Sequence, residues 1–294
     1  MEFQKRTERV LILAPPDFMP EIQEIEYRRD PLTDSHCLIN IKRAERARQA
    51  ERIAPPMDEI GSATAAGCFF CPENIRSATP RFPEEICPGG RIERGECILF
   101  PNLYAFGGYH AVATLSRDHM LDIDRFTARM IEDNLAACIE WMRAVHRKAP
   151  RACWPVYIWN HMPPSGASMV HPHTQALVRT MPTAMQQRLL KRSRSYYERR
   201  GRSFWNDLID AERESGDRFV GENGSLTAVA SFAPRGFREI QLIVHEPFAL
   251  TDLREKHVVD LADALVRILR AYKSMGVGSF NVNLFSGPIG ERGP

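Results

Sequence analysis

Residues 168–175 read SMVHPHTQ, two histidines separated by one proline. Proline fixes φ and pushes the residue before it out of the helical region. In an extended segment side chains alternate, so His171 and His173 face one way while Val170 and Pro172 face the other. Two imidazoles are thereby offered to one small volume. A bare His-x-His is equally a surface strand with incidental histidines, and the neighbouring motifs have to decide. Cys68-Phe-Phe-Cys71 has the spacing with which two thiolates clamp one ion from a tight turn. A redox pair is the other reading of C-x-x-C, but no thioredoxin-like β-α pattern surrounds it. A tetrahedral ion needs two more ligands. His119 closes GYHAVATLS through RDH, and His171 opens the histidine pair, so Cys68, Cys71, His119 and His171 form a feasible Cys₂His₂ set.

If His171 is a ligand, His173 sits beside the ion with its ring free for chemistry. A neutral imidazole attacks phosphorus as well as carbon near pH 7. PPSGAS, just upstream, supplies backbone N–H groups, and Ser168 a hydroxyl, as donors to phosphate oxygens. Arg43 and Arg46 offer guanidinium charge for the same purpose, or else belong to a solvated basic segment. His36, His146, His161, His245 and His257 read as polar surface or hydrogen-bonded structural histidines.

The elements that must hold these groups follow from periodicity. Residues 1–25 read as an irregular arm, Cys37–Ile41 as a short strand, and 50–66 as a Pro- and Ala-rich loop. CILFPNLYAF and GYHAVATLS read as strands joined at Gly107-Gly108. Phe126, Met130, Ile131, Leu135, Cys138, Ile139 and Met142 recur at helical spacing in a helix that stops before Pro150. WPVYIWN is the next strand, followed by a Pro/Gly turn and the histidine strand. LTAVASFA, REIQLIVH, a helix over about 252–273 and SFNVNLF then repeat the order strand, strand, helix, strand. Hairpins join the paired strands, so the expected fold is α+β, two pseudo-repeated halves of antiparallel sheet with flanking helices. The expected division is residues 1–185, carrying the site, and 186–294, degenerate and shortened, without a histidine pair.

Composition narrows the class. The 294 residues are 44% hydrophobic and 26% charged with a net charge of +2, so neither a polyanion nor a nucleic acid is expected as main partner. The basic run 187–202 reads as a solvated helix face. MEFQKRTERVLILAPP has too short an apolar piece for a signal or a membrane span, and a cytoplasmic protein is expected. Seven cysteines agree with that, five of them scattered as buried free thiols.

WNHMPPSGASMVHPHTQ resembles the active-site signature of the galactose-1-phosphate uridylyltransferase family, a branch of the histidine-triad superfamily. RRDPLTDSHCLINIKRAER, CFFCPEN, and FPNLYAF with GYHAVATLSRDH resemble three further family segments, in the same order. Together they span about residues 26–180. The resemblance implies zinc, with iron as the alternative metal, on Cys68, Cys71, His119 and His171. It implies His173 as nucleophile with Gln175 as its partner, and nucleotide or phosphate contacts from Arg43, Arg46, Asn102, Asn160, Gly166 and Ser168. The activity it implies is ping-pong transfer of a nucleoside monophosphate, in the first instance UMP, from a nucleoside-diphosphate sugar to a hexose 1-phosphate, as in galactose metabolism. A homodimer is implied by the same analogy. Gln175 suits transfer between phosphates: the superfamily's hydrolases carry a third histidine there to protonate the leaving group, which an amide cannot do.

The chain departs from the family at several points. Leu189 and Leu103 stand where a glutamate and an aspartate are usual, His36 where a tryptophan is, and no second histidine pair follows. Transfer chemistry is therefore better supported than galactose. A phosphorylase using inorganic phosphate on an ADP-sugar or dinucleoside polyphosphate is the enzymatic alternative; a non-catalytic zinc module that binds nucleotides is the other.

Overall fold

The computed structural model of the chain describes residues 1–14, 19–40, 57–105, 107–246 and 248–293. A six-stranded antiparallel sheet carries the architecture. Its strands are β4 (Ile92–Arg94), β5 (Cys97–Pro101), β6 (His110–Thr114), β7 (Trp154–His161), β8 (His173–Arg179) and β12 (Phe280–Leu284), in the order β12-β7-β8-β6-β5-β4. Two further antiparallel sheets have three strands each. One is β1 (Lys5–Ala14), β2 (Met19–Arg29) and β3 (His36–Asn40); the other is β9 (Phe219–Asn223), β10 (Leu226–Ala230) and β11 (Ile240–Val244).

The helices are α1 (Met57–Ala65), α2 (Ile75–Ala78), α3 (Ala128–Lys148), α4 (Ala184–Arg200), α5 (Phe204–Ser215) and α6 (Glu255–Ser274). Thr127 caps α3 by accepting from the Met130 N–H (3.3 Å), and His146, Arg147 and Lys148 close it against the negative end of its dipole. Its stripe Ile131, Leu135, Cys138, Ile139, Met142 and Val145 is buried, matching the spacing read from sequence. Thr183 and Gln186 form a capping box on α4, which ends at Gly201 with φ 68°, a left-handed cap glycine meets without strain. Helices α3 and α6 pack together on one face of the sheet. The largest core cluster joins Leu99, Trp141, Tyr157 and Trp159 to Leu226, Leu261 and Leu269. Fully burying each such side chain contributes about 2–3 kcal/mol. This core draws on both stretches of the repeat, and β12 completes the sheet that holds β7 and β8.

The order β5, β6, α3, β7 recurs as β10, β11, α6, β12, so the α+β fold and its repeated element order stand as expected. Two expectations are corrected. Residues 5–14 and 19–29 are the paired antiparallel strands β1 and β2 rather than an irregular arm, with ion pairs Lys5–Glu26 and Arg9–Glu24 across the strands. Leu11 and Ile22, opposite one another, are 65% and 60% exposed, so among the residues whose burial is described no buried face writes a period-two pattern into that sequence. Within the stretch read as loop at 50–66, residues 57–65 are α1. Cys87, Cys97 and Cys138 are buried thiols as expected, whereas Cys37 and Cys153 are only half-buried. No helix among the described residues is long and apolar enough to cross a membrane.

Candidate active site and metal centre

The face of the sheet away from α3 carries the chemistry. Cys68 and Cys71 lie on the turn between α1 and α2. The backbone N–H groups of Asn74 and Ile75 donate to the Cys71 carbonyl (2.9 Å each), and Asn74 Nδ2 donates to the Cys68 carbonyl (2.9 Å). Phe70 packs against Ile75, Phe100 and Val112, which fastens the turn to the sheet. One ligand atom from each of Cys68, Cys71, His119 and His171 lies within 4.8 Å of every other. The Cys71 Sγ is 3.4 Å from His119 Nδ1 and 3.7 Å from His171 Nδ1, and Cys68 Sγ is 3.9 Å from His171 Nδ1. Tetrahedral zinc with ordinary Zn–S and Zn–N bonds sets sulfur–nitrogen edges at about 3.5 Å. The donor set fits a dication of that kind.

The outer hydrogen bonds prepare both imidazoles to ligate. His171 Nε2 donates to the Ser116 carbonyl (2.9 Å), leaving Nδ1 bare on the cysteine side. Thr64 Oγ1 donates to the Ile60 carbonyl (2.7 Å), so it accepts from His119 Nε2–H (2.9 Å), and Nδ1 of that ring is also left bare. Burial, helped by the neighbouring Cys68, pushes the Cys71 thiol up to about 12; burial pulls His171 down to about 4. The neutral histidine is ready to ligate, while the thiols must surrender protons when a cation enters.

His173 opens β8 two residues later. It is 7% exposed, and its Nδ1–H donates to the His171 carbonyl (2.8 Å). That bond leaves Nε2 with the lone pair. Burial lowers its pKa below the usual imidazole value, so the ring is neutral at pH 7. The Phe70 ring lies 5.4 Å from His173 and 6.0 Å from His171, so both imidazoles meet the same side of the strand, as the His-Pro-His spacing predicts.

Gln175 follows on the same face, opposite Val112 of β6 and Ile158 of β7. Its Oε1 accepts from His110 Nε2 (2.8 Å), which leaves its NH₂ as the end available to an anion. Asn102 Oδ1 accepts from the Tyr104 N–H (2.9 Å); with His110 Nε2–H given to Gln175, the Asn102 Nδ2 lies 3.2 Å from that nitrogen without a hydrogen bond to it. The ladder between β7 and β8 ends at Ile158–Gln175; Asn160 lies two residues further along β7, where it faces Asn281 of β12. The turn after β7 reverses through Met162 (φ 70°) and Gly166 (φ 88°). Ser165 Oγ holds it by donating to the His161 and Met162 carbonyls (2.8 Å each). Gly166 and Ser168 are exposed on it.

The structure thus brings Cys68, Cys71, His119 and His171 into one cluster, with His173, Gln175 and Asn160 on strands β8 and β7 and Asn102 just past the end of β5. Arg43 and Arg46 fall outside the described residues. Among the histidines given no chemistry, His257 Nδ1 accepts from the Arg254 N–H (3.0 Å), His245 pairs with Thr227 Oγ1 (2.9 Å) and His161 is buried between Phe126 and Phe280. The basic run lies on α4, where Arg192 pairs with Asp34 and Arg194 with Glu291. Thr64 and His110 were not singled out from sequence. Alternation along GYHAVATLS would have put His110 on the face of Val112, but nothing in the string says that Gln175 lies next to it.

No family model matches the chain. A protein of Archaeoglobus fulgidus, described as an uncharacterized protein, is 30% identical over 286 residues, covering 97% of this chain and 82% of its own length. Among solved structures, an ADP-glucose phosphorylase from Arabidopsis thaliana with bound ADP-glucose aligns with a TM-score of 0.67 at 19% identity, covering 90% of this chain and 83% of that one. A uridylyltransferase aligns with a TM-score of 0.64 at 21% identity, covering 90% of this chain and 81% of that one.

Proposed function

We infer function for a chain that belongs to one family with the Archaeoglobus fulgidus protein and has the fold of the galactose-1-phosphate uridylyltransferases: we propose an enzyme that moves a nucleoside monophosphate through a covalent nucleotidyl-histidine. The observation that carries this is His173, neutral, with Nδ1–H held by the His171 carbonyl and Nε2 left with its lone pair.

His173 Nε2 attacks the α-phosphorus of a nucleoside-diphosphate sugar. A P–N bond forms as the bond from α-phosphorus to the bridging oxygen breaks, and the sugar 1-phosphate leaves with the electron pair. The Nδ1 proton stays on the ring, where the His171 carbonyl stabilises the positive charge that develops. The Gln175 and Asn160 NH₂ groups serve as donors to the phosphoryl oxygens. In the second step an oxygen of the acceptor phosphate attacks the same phosphorus and the P–N bond breaks. Leaving phosphates need little protonation, so an amide suffices where an amine leaving group would need an acid. Cys68, Cys71, His119 and His171 would hold zinc, or iron; bound there, the ion would supply a fixed cross-link between the cysteine turn and the strand that carries His173.

The preferred donor and acceptor are UDP-glucose and a hexose 1-phosphate; ping-pong transfer itself requires only a second phosphate to take the nucleotidyl group. The ADP-glucose held by the Arabidopsis phosphorylase favours a second reading, an ADP-sugar with inorganic phosphate as acceptor. A homodimer in the cytoplasm belongs to the same proposal, and sedimentation of the purified protein checks the dimer. The deciding experiment incubates the metal-loaded protein with UDP-glucose or ADP-glucose and reads intact mass. A nucleotidyl adduct on His173 is expected, absent in His173→Ala, and its mass identifies the base. Release of that adduct by hexose 1-phosphate or by inorganic phosphate separates the two acceptors. If neither sugar nucleotide labels the wild type, the reading falls and a non-catalytic nucleotide-binding zinc module takes its place.

A further inference from the structure

Strand β12 belongs to the second half of the repeat, yet it lies in the first half's sheet beside β7, with Asn281 directly opposite Asn160. Asn281 Nδ2 is 2.7 Å from the Ser165 carbonyl and 2.8 Å from Asn160 Oδ1. A carbonyl oxygen only accepts, so the end of Asn281 that faces Ser165 is its NH₂. That same NH₂ meets the Asn160 amide, so the end of Asn160 facing β12 must be its carbonyl. The NH₂ of Asn160 is then the end not claimed by β12. Of the two orientations open to the Asn160 amide, the second half of the chain selects the one that offers a donor to an anion.

The Ser165 contact adds a second function. Ser165 sits in the reversal between β7 and β8, where Met162 and Gly166 both adopt left-handed backbone. A non-glycine residue such as Met162 holds that conformation only when the surroundings impose it. The bond from Asn281 to the Ser165 carbonyl ties this turn to the sheet from outside the turn itself.

We propose that Asn281 is a positioning residue for the site in the first half: it sets the polarity of the Asn160 amide and anchors the turn that leads to His171 and His173. This rests on the nucleotidyl-transfer reading of His173. It also gives the second half, which carries no histidine pair of its own, a defined contribution to the chemistry.

Asn281→Asp is the probe, because it keeps the shape and replaces the donor by an acceptor. An acceptor there repels the Ser165 carbonyl and draws the NH₂ of Asn160 to itself. The expected result is a loss of about tenfold or more in the rate of nucleotidyl adduct formation, the scale of losing one preorganised donor to a phosphoryl oxygen. Asn281→Gln, which restores an NH₂, recovers part of that loss. In an Asn160→Ala background Asn281→Asp costs less than it does in the wild type, because the amide is gone and only the Ser165 contact remains to be lost. A merely structural role would instead multiply with Asn160→Ala and lower the melting temperature of both variants together. Calorimetric affinity for UDP and for ADP is measured on the same proteins. If the wild type forms no adduct, the nucleotidyl-transfer reading fails, and the nucleotide affinities still judge Asn281. Equal adduct rates and equal affinities for Asn281→Asp and wild type, at equal metal content, overturn the proposal.

Discussion

At the residue scale, the site is defined by which atom of each ring or amide carries a hydrogen. Thr64 is the clearest case. Its hydroxyl hydrogen is committed to the Ile60 carbonyl, so its oxygen can only accept from His119 Nε2–H, and Nδ1 is presented to the cysteines. Thr64→Val keeps the volume and removes the acceptor. The expected outcome is metal affinity lower by about 10- to 100-fold, the usual cost of losing an outer hydrogen-bond partner, read by competition with a chromogenic chelator. The fold itself is expected to stay intact when metal is saturating. Three of the four ligands were legible in the sequence because C-x-x-C and His-Pro-His are local patterns, and the family resemblance supplied His119. Thr64 was not, because its partner lies 55 residues away and a threonine in an Ala-rich segment carries no signal of its own.

At the element scale, one asparagine joins the helix to three strands behind the site. Asn134 of α3 is fully buried; its Nδ2 donates to the Ala113 and Thr114 carbonyls (3.2 and 3.0 Å). Its Oδ1 accepts from Tyr157 Oη on β7 (3.0 Å) and Thr174 Oγ1 on β8 (2.9 Å). Thr174 lies between His173 and Gln175, so this bond fixes the strand from the back while its neighbours face the chemistry. Asn134→Leu leaves two hydroxyls and a pair of carbonyls without that partner. A destabilisation of about 3 kcal/mol is expected from urea unfolding, since each buried polar group left unpaired costs on the order of 1–3 kcal/mol. Asn134→Ala in a Tyr157→Phe, Thr174→Val background should cost measurably less. The helix around Asn134 was readable from its apolar period. Asn134 itself breaks that period as a polar residue on the buried face, and only the packing of α3 on β6, β7 and β8 explains why.

At the scale of the whole molecule, stability is coupled to protonation of a histidine that has no part in the chemistry. His161 is 1% exposed, lies between Phe126 and Phe280, and burial pulls its pKa down to about 4. In the unfolded chain an imidazole titrates near pH 6.5. The unfolded state therefore binds the proton first, and stability falls as pH drops from about 6.5 toward about 4. Above that window the contribution is constant. A gap of that size corresponds to roughly 3 kcal/mol at its acid end. Urea midpoints at pH 7 and pH 4.5 should therefore differ more for the wild type than for His161→Phe, measured on metal-free protein so that ligand protonation adds the same amount to both. Equal pH slopes for the two proteins would remove His161 from the account.

The α+β class, the repeated order of strand and helix, the long amphipathic helices and the four metal-ligand candidates came from sequence alone. The class, the element order and the helices rest on patterns within one element, where spacing and residue type carry the information directly; the metal set joined two local motifs to His119 through the family resemblance. Tertiary structure decided the rest. It paired residues 5–14 with 19–29 where, among the residues whose burial is described, neither strand has a buried face to announce it, and it inserted β12 beside β7 so that Asn281 meets Asn160. It also chose which end of each amide and which nitrogen of each imidazole faces the site. Those choices depend on donors and acceptors brought together from distant parts of the chain, and a linear pattern holds no record of which oxygen a given hydrogen will find.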